Sequence, residues 1–213
     1  MRIEDIDYAQ SANTFLAVFL GAFLATLGGI VAGQVENRLH RGERERNAAL
    51  LFGEVLTSLQ TLLRLAQETR AIGDPYGPIT MRMLRAARRE IEVYDRNRET
   101  LYEIRSGVLR VQLHTLVLRL MMPLESLLDV HHEIGELRLA LKARDLTAEE
   151  RAELAETLAV REERREQGFD FIVETAQEIG PMADALGRLA RHSFARYRGN
   201  AIGRVPDTVS DEA

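Results

Sequence analysis

The pattern of hydrophobic positions begins with an apolar stretch near the start of the chain, where residues 12–33 carry no charged side chain. As a helix this stretch would be about 33 Å long, which matches a hydrocarbon core of about 30 Å. A cleaved secretory signal would have a basic start and a shorter apolar core, whereas three acidic residues and one arginine precede this stretch. We therefore predict a retained transmembrane helix over residues 12–35, after a short extracytoplasmic N-terminus over residues 1–11.

Small residues recur at every fourth position inside the predicted span. This spacing lets another helix approach closely enough for backbone contacts, although glycine and alanine are also common in membrane helices that face lipid. The pattern predicts helix packing, either with a second copy or with another membrane protein. The positions are Ala17, Gly21, Ala25, Gly29 and Gly33.

Apolar residues then recur at steps of three and four through most of the remaining chain, which is typical of amphipathic helices. The glycines and prolines of residues 73–78 mark the clearest break, and Thr147 with Glu150 has the spacing of a capping box. No strand-like alternation of useful length is present. The pattern predicts four helices and a polar, disordered tail over residues 199–213; the helices span about residues 36–72, 80–105, 108–144 and 148–198.

The hydrophobic pattern therefore predicts an all-α fold. A single N-terminal transmembrane helix is followed by an antiparallel helical bundle or a long helical hairpin over residues 36–198. The third helix is apolar on more than one stripe between residues 116 and 128, so we expect that stretch to be the most buried. The fourth helix has a row of apolar residues at coiled-coil spacing, which we call its seam. The second helix is too short to cover that seam along its whole length. We therefore expect a partner to cover that seam, which contains Phe169, Ile172, Ile179, Leu186 and Tyr197.

Basic residues set the predicted orientation in the membrane. Four arginines follow the span closely, and the positive-inside rule places the side that carries them in the cytoplasm. They could also contact anionic lipid headgroups at the membrane surface. Among 28 basic residues only Lys142 is a lysine, which suggests a bacterial source. We therefore predict the bacterial inner membrane, with the N-terminus outside and the bulk of the chain cytoplasmic; the arginines are Arg38, Arg41, Arg44 and Arg46.

Composition removes several classes of function. The formal net charge of −5 and pI of about 5.6 argue against nucleic acid as a partner. The chain has no cysteine, which excludes a disulfide framework, a thiolate zinc site and a cysteine nucleophile. No nucleophile elbow or phosphate-binding glycine loop is present. We expect no cofactor and no catalytic site.

One group of residues has weak metal-binding character. Asp129, His132, Glu133 and Glu136 are spaced to share one helical face, and an acid followed three residues later by histidine is half of a di-metal bundle motif. No matching second half occurs in another predicted helix. A solvated polar face explains these residues equally well.

The resulting hypothesis is a membrane-tethered helical protein that works through protein contacts, as a scaffold, an assembly factor or an accessory subunit. Its expected partners are membrane lipid and either a second copy or another membrane protein. Two alternatives stay open at this point. One is a membrane-anchored signalling or stress-response component, and the other is a metal-dependent helical-bundle enzyme.

Overall fold

The computed structural model of the chain describes residues 8–143 and 146–195, and within them every regular element is helical. The prediction of an all-helical protein is confirmed for this part of the chain. Five α-helices and one short 3₁₀ helix follow one another. They are α1 (Tyr8–Arg70), α2 (Pro78–Arg96), the 3₁₀ helix (Arg98–Glu103), α3 (Gly107–Ala140), α4 (Ala148–Ala176) and α5 (Ile179–Ala190).

The chain divides into two compact units, Met1–Arg44 and Glu45–Ala213, and α1 contributes residues to both. The first unit is helical from Tyr8 onwards. Most side chains of the predicted span over residues 12–35 lie outside the described residues, as do most of residues 1–11 and all of the predicted tail over residues 199–213.

One helical segment of the described residues, His40–Arg70, is long and apolar enough to cross a membrane. Half of its most apolar window is buried inside the chain, and core helices of globular proteins share these properties. Phe52, Leu56 and Leu59 lie in the core of the second unit and are almost fully buried. This segment therefore forms one wall of that core.

Contacts between α1 and α2 fix the relative direction of these two helices. The rings of Phe52 and Tyr94 have centroids 5.5 Å apart, and the hydroxyl oxygens of Thr69 and Thr80 lie 3.1 Å apart. As residue numbers rise along α1 the contacting numbers fall along α2, so the two helices run antiparallel.

The same reasoning applies to α3 and α4. Arg138 donates to Glu162 at 2.6 Å, and Arg161 pairs with Glu133 at 2.8 Å. Farther along, Arg119 pairs with Glu178, which lies between α4 and α5. Between the contacts of Glu133 and Arg119, the numbers fall along α3 while their partners rise from 161 to 178, so α4 returns along α3.

The second predicted helix, over about residues 80–105, is shorter in the structure, because α2 ends at Arg96 and a 3₁₀ helix follows it. The side-chain nitrogen of Asn97 donates to the Val93 carbonyl at 2.8 Å and its backbone N–H bonds the last carbonyls of α2, which closes the helix. α2 also begins at Pro78, because proline is well tolerated in the first turn of a helix, where its missing N–H costs nothing.

The last predicted helix, over about residues 148–198, is two helices in the structure, α4 and α5. The break at Gln177 and Glu178 precedes Pro181, which cannot donate to the carbonyl one turn earlier. The predicted capping box is confirmed, since the Thr147 hydroxyl accepts from the Glu150 N–H and the Glu150 carboxylate accepts from the Thr147 N–H. Pro123 lies inside α3, which is helical throughout.

Candidate functional site

The outer face of α3 is a row of exposed, mostly apolar side chains. We use this name for five residues that recur at steps of three and four, namely Val108, Val111, Thr115, Leu118 and Met122. All five are exposed, and the four apolar members have 69%, 66%, 37% and 67% of their surface accessible. Exposed apolar residues scattered singly need no explanation, whereas a contiguous row marks a candidate interaction surface.

Helix geometry shows why this row is separate from the core. At about 100° per residue, the five positions fall within an arc of about 80°. The residues of α3 that are buried, including Leu113, Leu120 and Leu124, lie on the opposite side of the same helix. α3 is therefore apolar on two opposite faces, and the core uses only one of them.

Polar contacts fix both flanks of the outer face. On the α5 side, the Arg119 guanidinium donates to both carboxylate oxygens of Glu178, at 2.8 and 2.9 Å. On the α2 side, the two ring nitrogens of His114 lie 3.1 Å from the Tyr94 hydroxyl and 3.2 Å from Arg98. These contacts occupy the neighbouring polar groups and leave the apolar row between them.

A shallow groove adjoins the α5 side of this face. It encloses about 470 Å³, and Val111 and Thr115 line it opposite Met182 and Ala185 of α5. Six of its ten lining residues are apolar or proline, and two of the polar ones, Arg119 and Glu178, pair with each other. It extends the apolar surface of α3 sideways.

A second cluster lies where the loop between α1 and α2 meets α4. The Arg165 side chain is only 7% exposed, and its guanidinium carbon lies 3.7 Å from the centre of the Tyr76 ring. Arg70 lies 4.4 Å from the Phe169 ring centre and pairs with Glu166. These cation–π contacts and ion pairs hold the loop against α4.

Two titratable side chains at this cluster, Tyr76 and His131, have pKa values shifted towards their uncharged forms. Burial raises the pKa of the Tyr76 phenol to about 12, against the opposing charge of Arg70 and with a further upward effect of Glu166. Burial also lowers the pKa of the His131 imidazole, and the nearby guanidinium of Arg165 lowers it further. A protonated phenol and a neutral imidazole suit packing in a buried place, because neither brings a charge out of water.

The four weak metal candidates do not converge in the structure. The imidazole of His132 lies 3.4 Å from the Glu136 carboxylate, but the Glu133 carboxylate pairs instead with Arg161 of α4, and Asp129 is exposed. Within residues 8–143 and 146–195, no three side chains of histidine, aspartate or glutamate come together as metal ligands would.

The predicted membrane-facing residues are described only in part. Arg41 and Arg44 are exposed, and Arg46 donates from its Nε to the Ala190 carbonyl at 3.0 Å, which ties it to the end of α5. Gly21 is exposed, with no atom near the place of a β-carbon. The side chains of Ala17, Ala25 and Arg38, and the surroundings of Gly29 and Gly33, lie outside the described residues.

The expectation that the seam of the last helix is left for a partner to cover is wrong for its described residues. Phe169, Ile172, Ile179 and Leu186 are each at most 1% exposed within this chain. The second half of α1 accounts for this, because its residues from Ala48 to Ala66 contribute an apolar face to the core, whereas the expectation considered only the short second helix. Tyr197 lies outside the described residues.

The uncovered surface is instead on α3, where the sequence predicts the deepest burial. Leu116, Leu120 and Leu124 are buried as expected, but Leu118 and Met122 are exposed. The signal for this exposed surface was present in the sequence as a second apolar stripe with a spacing of three and four.

Comparisons with protein-family models, with curated proteins and with solved structures give no match. The functional argument therefore depends on the residues of this chain.

Proposed function

We propose that this chain is a membrane-anchored helical protein that works through protein contacts, as a scaffold, an assembly factor or an accessory subunit. The observation that carries this proposal is the outer face of α3, a contiguous apolar row that the chain leaves exposed. A solvent-exposed apolar surface of this kind favours association, because a protein partner that covers it removes its large apolar side chains from water.

The proposed architecture has one transmembrane helix over residues 12–35 and an antiparallel helical bundle in the cytoplasm. The length and uncharged character of residues 12–33 support the span, and the arginines that follow it support a cytoplasmic bundle at the inner membrane of a bacterium. The opposed directions of α1 and α2, and of α3 and α4, support the bundle.

Two features favour contacts over catalysis. Two groups with catalytic potential on α3 are held in structural contacts, since His114 lies within hydrogen-bond distance of Tyr94 and Arg98, and Glu133 pairs with Arg161. The groove beside the outer face is lined mainly by apolar side chains. Such a surface suits a protein partner better than a polar substrate.

Topology provides the first half of the test. The chain has no native cysteine, so Ser11→Cys and Ser126→Cys each supply one thiol; Ser126 is exposed on α3. In intact cells an impermeant maleimide should label Ser11→Cys alone, and Ser126→Cys should react only after permeabilisation. The reverse pattern would refute the proposed orientation, and recovery of the full-length protein in the soluble fraction would refute the anchor.

Crosslinking provides the second half. A photoreactive amino acid replaces Val111 in one variant and Leu139 in the other; both residues lie on α3 and are 66% and 68% exposed, but only Val111 belongs to the outer face. In native membranes the variant at 111 should give a discrete protein adduct and the control at 139 should not. Equal adduct patterns from both positions would count against a contact surface on α3.

A further inference from the structure

We propose that the second unit holds a binding site for a phosphate group, formed by Arg165 of α4, His131 of α3 and Arg85 of α2. The site brings together one buried guanidinium, one buried imidazole nitrogen and one exposed guanidinium from three helices. It is separate from the outer face of α3 and does not depend on the proposed membrane anchor. It therefore goes beyond the proposed protein contact.

Contacts between α3 and α4 show where Arg165 lies. Arg161 pairs with Glu133, and the place of a β-carbon on Gly168 lies 4.0 Å from Leu127. Arg165 comes between these two contacts along α4. It therefore lies beside the turn of α3 that ends just before Glu133.

Contacts between α2 and α3 place Arg85 in the same way. The Tyr94 hydroxyl lies 3.1 Å from a ring nitrogen of His114, and Arg88 pairs with Glu125. Residue numbers therefore fall along α2 as they rise along α3. Arg85 comes about one turn before Arg88, so it lies beside the part of α3 that follows Glu125.

The electrostatics of His131 agree with this placement. Burial lowers the pKa of its imidazole, and the guanidinium groups of Arg165, Arg85 and Arg138 lower it further, in that order, whereas the carboxylate of Asp74 raises it. Three cations from α2, α3 and α4 therefore act on one imidazole, against one carboxylate from the loop between α1 and α2.

Arg165 lacks the counter-charge that a buried cation needs. Only 7% of its surface is exposed, and its Nε has no hydrogen-bond partner. Glu166 and Asp170 pair with Arg70 instead, and within the described residues no carboxylate pairs with Arg165. The guanidinium lies over the Tyr76 ring, with its carbon 3.7 Å from the ring centre. A ring face attracts a cation but does not neutralise its charge, and buried charges are ordinarily paired.

His131 has a second unpartnered atom at the same place. Its Nδ1 is buried and has no hydrogen-bond partner, whereas buried polar atoms are nearly always bonded. Gly135, one turn later on α3, has no atom near the place of a β-carbon, so open space adjoins this turn of the helix. An anion in that space would supply the acceptors that both nitrogen atoms lack.

The arrangement of donors favours phosphate among anions. Arg138 is already paired with Glu162, whereas Arg85 is exposed and has no ion pair within the described part of the chain. Arg165 and Arg85 are therefore the two cations available to a ligand. Guanidinium groups bind phosphate oxygens with paired hydrogen bonds. Donors that come from three helices suit the tetrahedral oxygens of phosphate better than the planar carboxylate group.

Calorimetric titration of the full chain in an uncharged detergent tests the site. The probe is inorganic phosphate, and chloride keeps the ionic strength constant. Arg85→Gln should weaken binding by about tenfold or more, because it removes a charged donor, and its exposed position leaves the core intact. The matched control is Arg188→Gln, which removes an exposed arginine of α5 and should bind as wild type does. Equal affinities in the two variants would overturn the proposal.

The His131 imidazole gives a readout that a purely structural role of Arg165 would not move. Bound phosphate would offset the guanidinium charges around the imidazole, so NMR titration should show the pKa of His131 rising when phosphate is added. Arg165→Lys keeps the buried charge but not the planar fork, so binding should weaken by about tenfold or more while circular dichroism shows wild-type helicity. An unchanged pKa of His131 at saturating phosphate would overturn the site.

Two sources of the phosphate group are separated by a second probe. Mixed micelles that contain phosphatidylglycerol present the same group on a lipid. A response to inorganic phosphate assigns a soluble phosphate compound. A response to the lipid without one to inorganic phosphate, lost in Arg85→Gln, assigns a lipid headgroup. No response to either probe, or an equal response to acetate, would refute the phosphate site and leave the protein-contact function standing.

Discussion

Gly53 offers a sharp test of how the second unit is packed. It lies inside α1, and a β-carbon added there would overlap the Phe194 ring. That ring is 1% exposed and is also bounded by Gly187 of α5, where an added β-carbon would contact the same ring at 3.3 Å. Phe194 therefore occupies a slot between two glycines, and Gly53→Ala should push the ring out of it.

The expected size of the effect follows from two opposing terms. Alanine is the better helix former by about 1 kcal/mol. Overpacking of a buried site costs about 1–3 kcal/mol, and complete loss of a buried phenylalanine about 3–5 kcal/mol. Because the β-carbon would overlap the ring, we expect the steric term to win by about 2 kcal/mol. For a chain of this length that lowers Tm by about 4–8 °C.

Gly135→Ala is the matched control, since Gly135 lies inside α3 and has no atom near the place of a β-carbon. There only the helix-propensity term remains, so stability should rise by about 0.5–1 kcal/mol. Thermal and urea unfolding of the full chain in mild detergent, followed by circular dichroism, measures both variants. If Gly53→Ala is as stable as wild type, the packing of Phe194 against α1 is refuted.

A double-mutant cycle removes the remaining ambiguity about cause. Phe194→Ala empties the slot and should itself destabilise by about 3–5 kcal/mol. In that background Gly53→Ala no longer meets a ring, so its effect should change sign and become stabilising by up to about 1 kcal/mol. A loss of equal size in both backgrounds would assign the effect to the backbone of α1 instead.

Two further predictions concern the other contacts described above. The unfolding free energy should fall as pH rises from about 10 to 12. The unfolded chain loses the phenolic protons of Tyr76 and Tyr94 near pH 10, whereas burial raises both folded pKa values to about 12. Urea unfolding measured across this pH range should show a shallower fall for Tyr76→Phe, and an identical fall would contradict the buried phenol. Thr147→Ala should lower the free energy of unfolding by about 1 kcal/mol, because it removes the capping box of α4. The control is Thr157→Ala: the Thr157 hydroxyl donates to the Glu153 carbonyl within the same helix, and its loss should change the free energy of unfolding by less than about 0.5 kcal/mol. Equal losses in a thermal unfolding measurement would argue against the cap.

Local signals in the sequence identified some helix ends and missed others. The spacing of Thr147 and Glu150 identifies the start of α4 because a capping box depends only on neighbouring residues. The end of α2 was harder, since Leu101 and Ile104 continue the apolar pattern beyond Arg96 and are buried in the 3₁₀ helix and the turn after it. Hydrophobic periodicity reports burial, and burial alone does not distinguish a helix from a packed loop.

Tertiary contacts decided the candidate site, and single-helix patterns carry little information about them. The sequence shows that Phe169 and Ile172 need a cover, but which helix provides it depends on how four helices are arranged around them. The Tyr76 and Arg165 contact joins residues far apart in sequence. Such pairs become visible only when the loop between α1 and α2 is placed against α4.

The outer face of α3 shows why an apolar helix is ambiguous in sequence. A helix that is apolar all round is usually a fully buried one, which is the reasoning that predicts deep burial for residues 116–128. In the structure, α2, α4 and α5 supply neighbours of α3 on its inner side and flanks, so Leu120 is buried while Leu118 and Met122 are exposed. Among the described residues, no further helix covers that face. The same apolar content that predicts burial therefore becomes, once the neighbours are known, the argument for a protein partner.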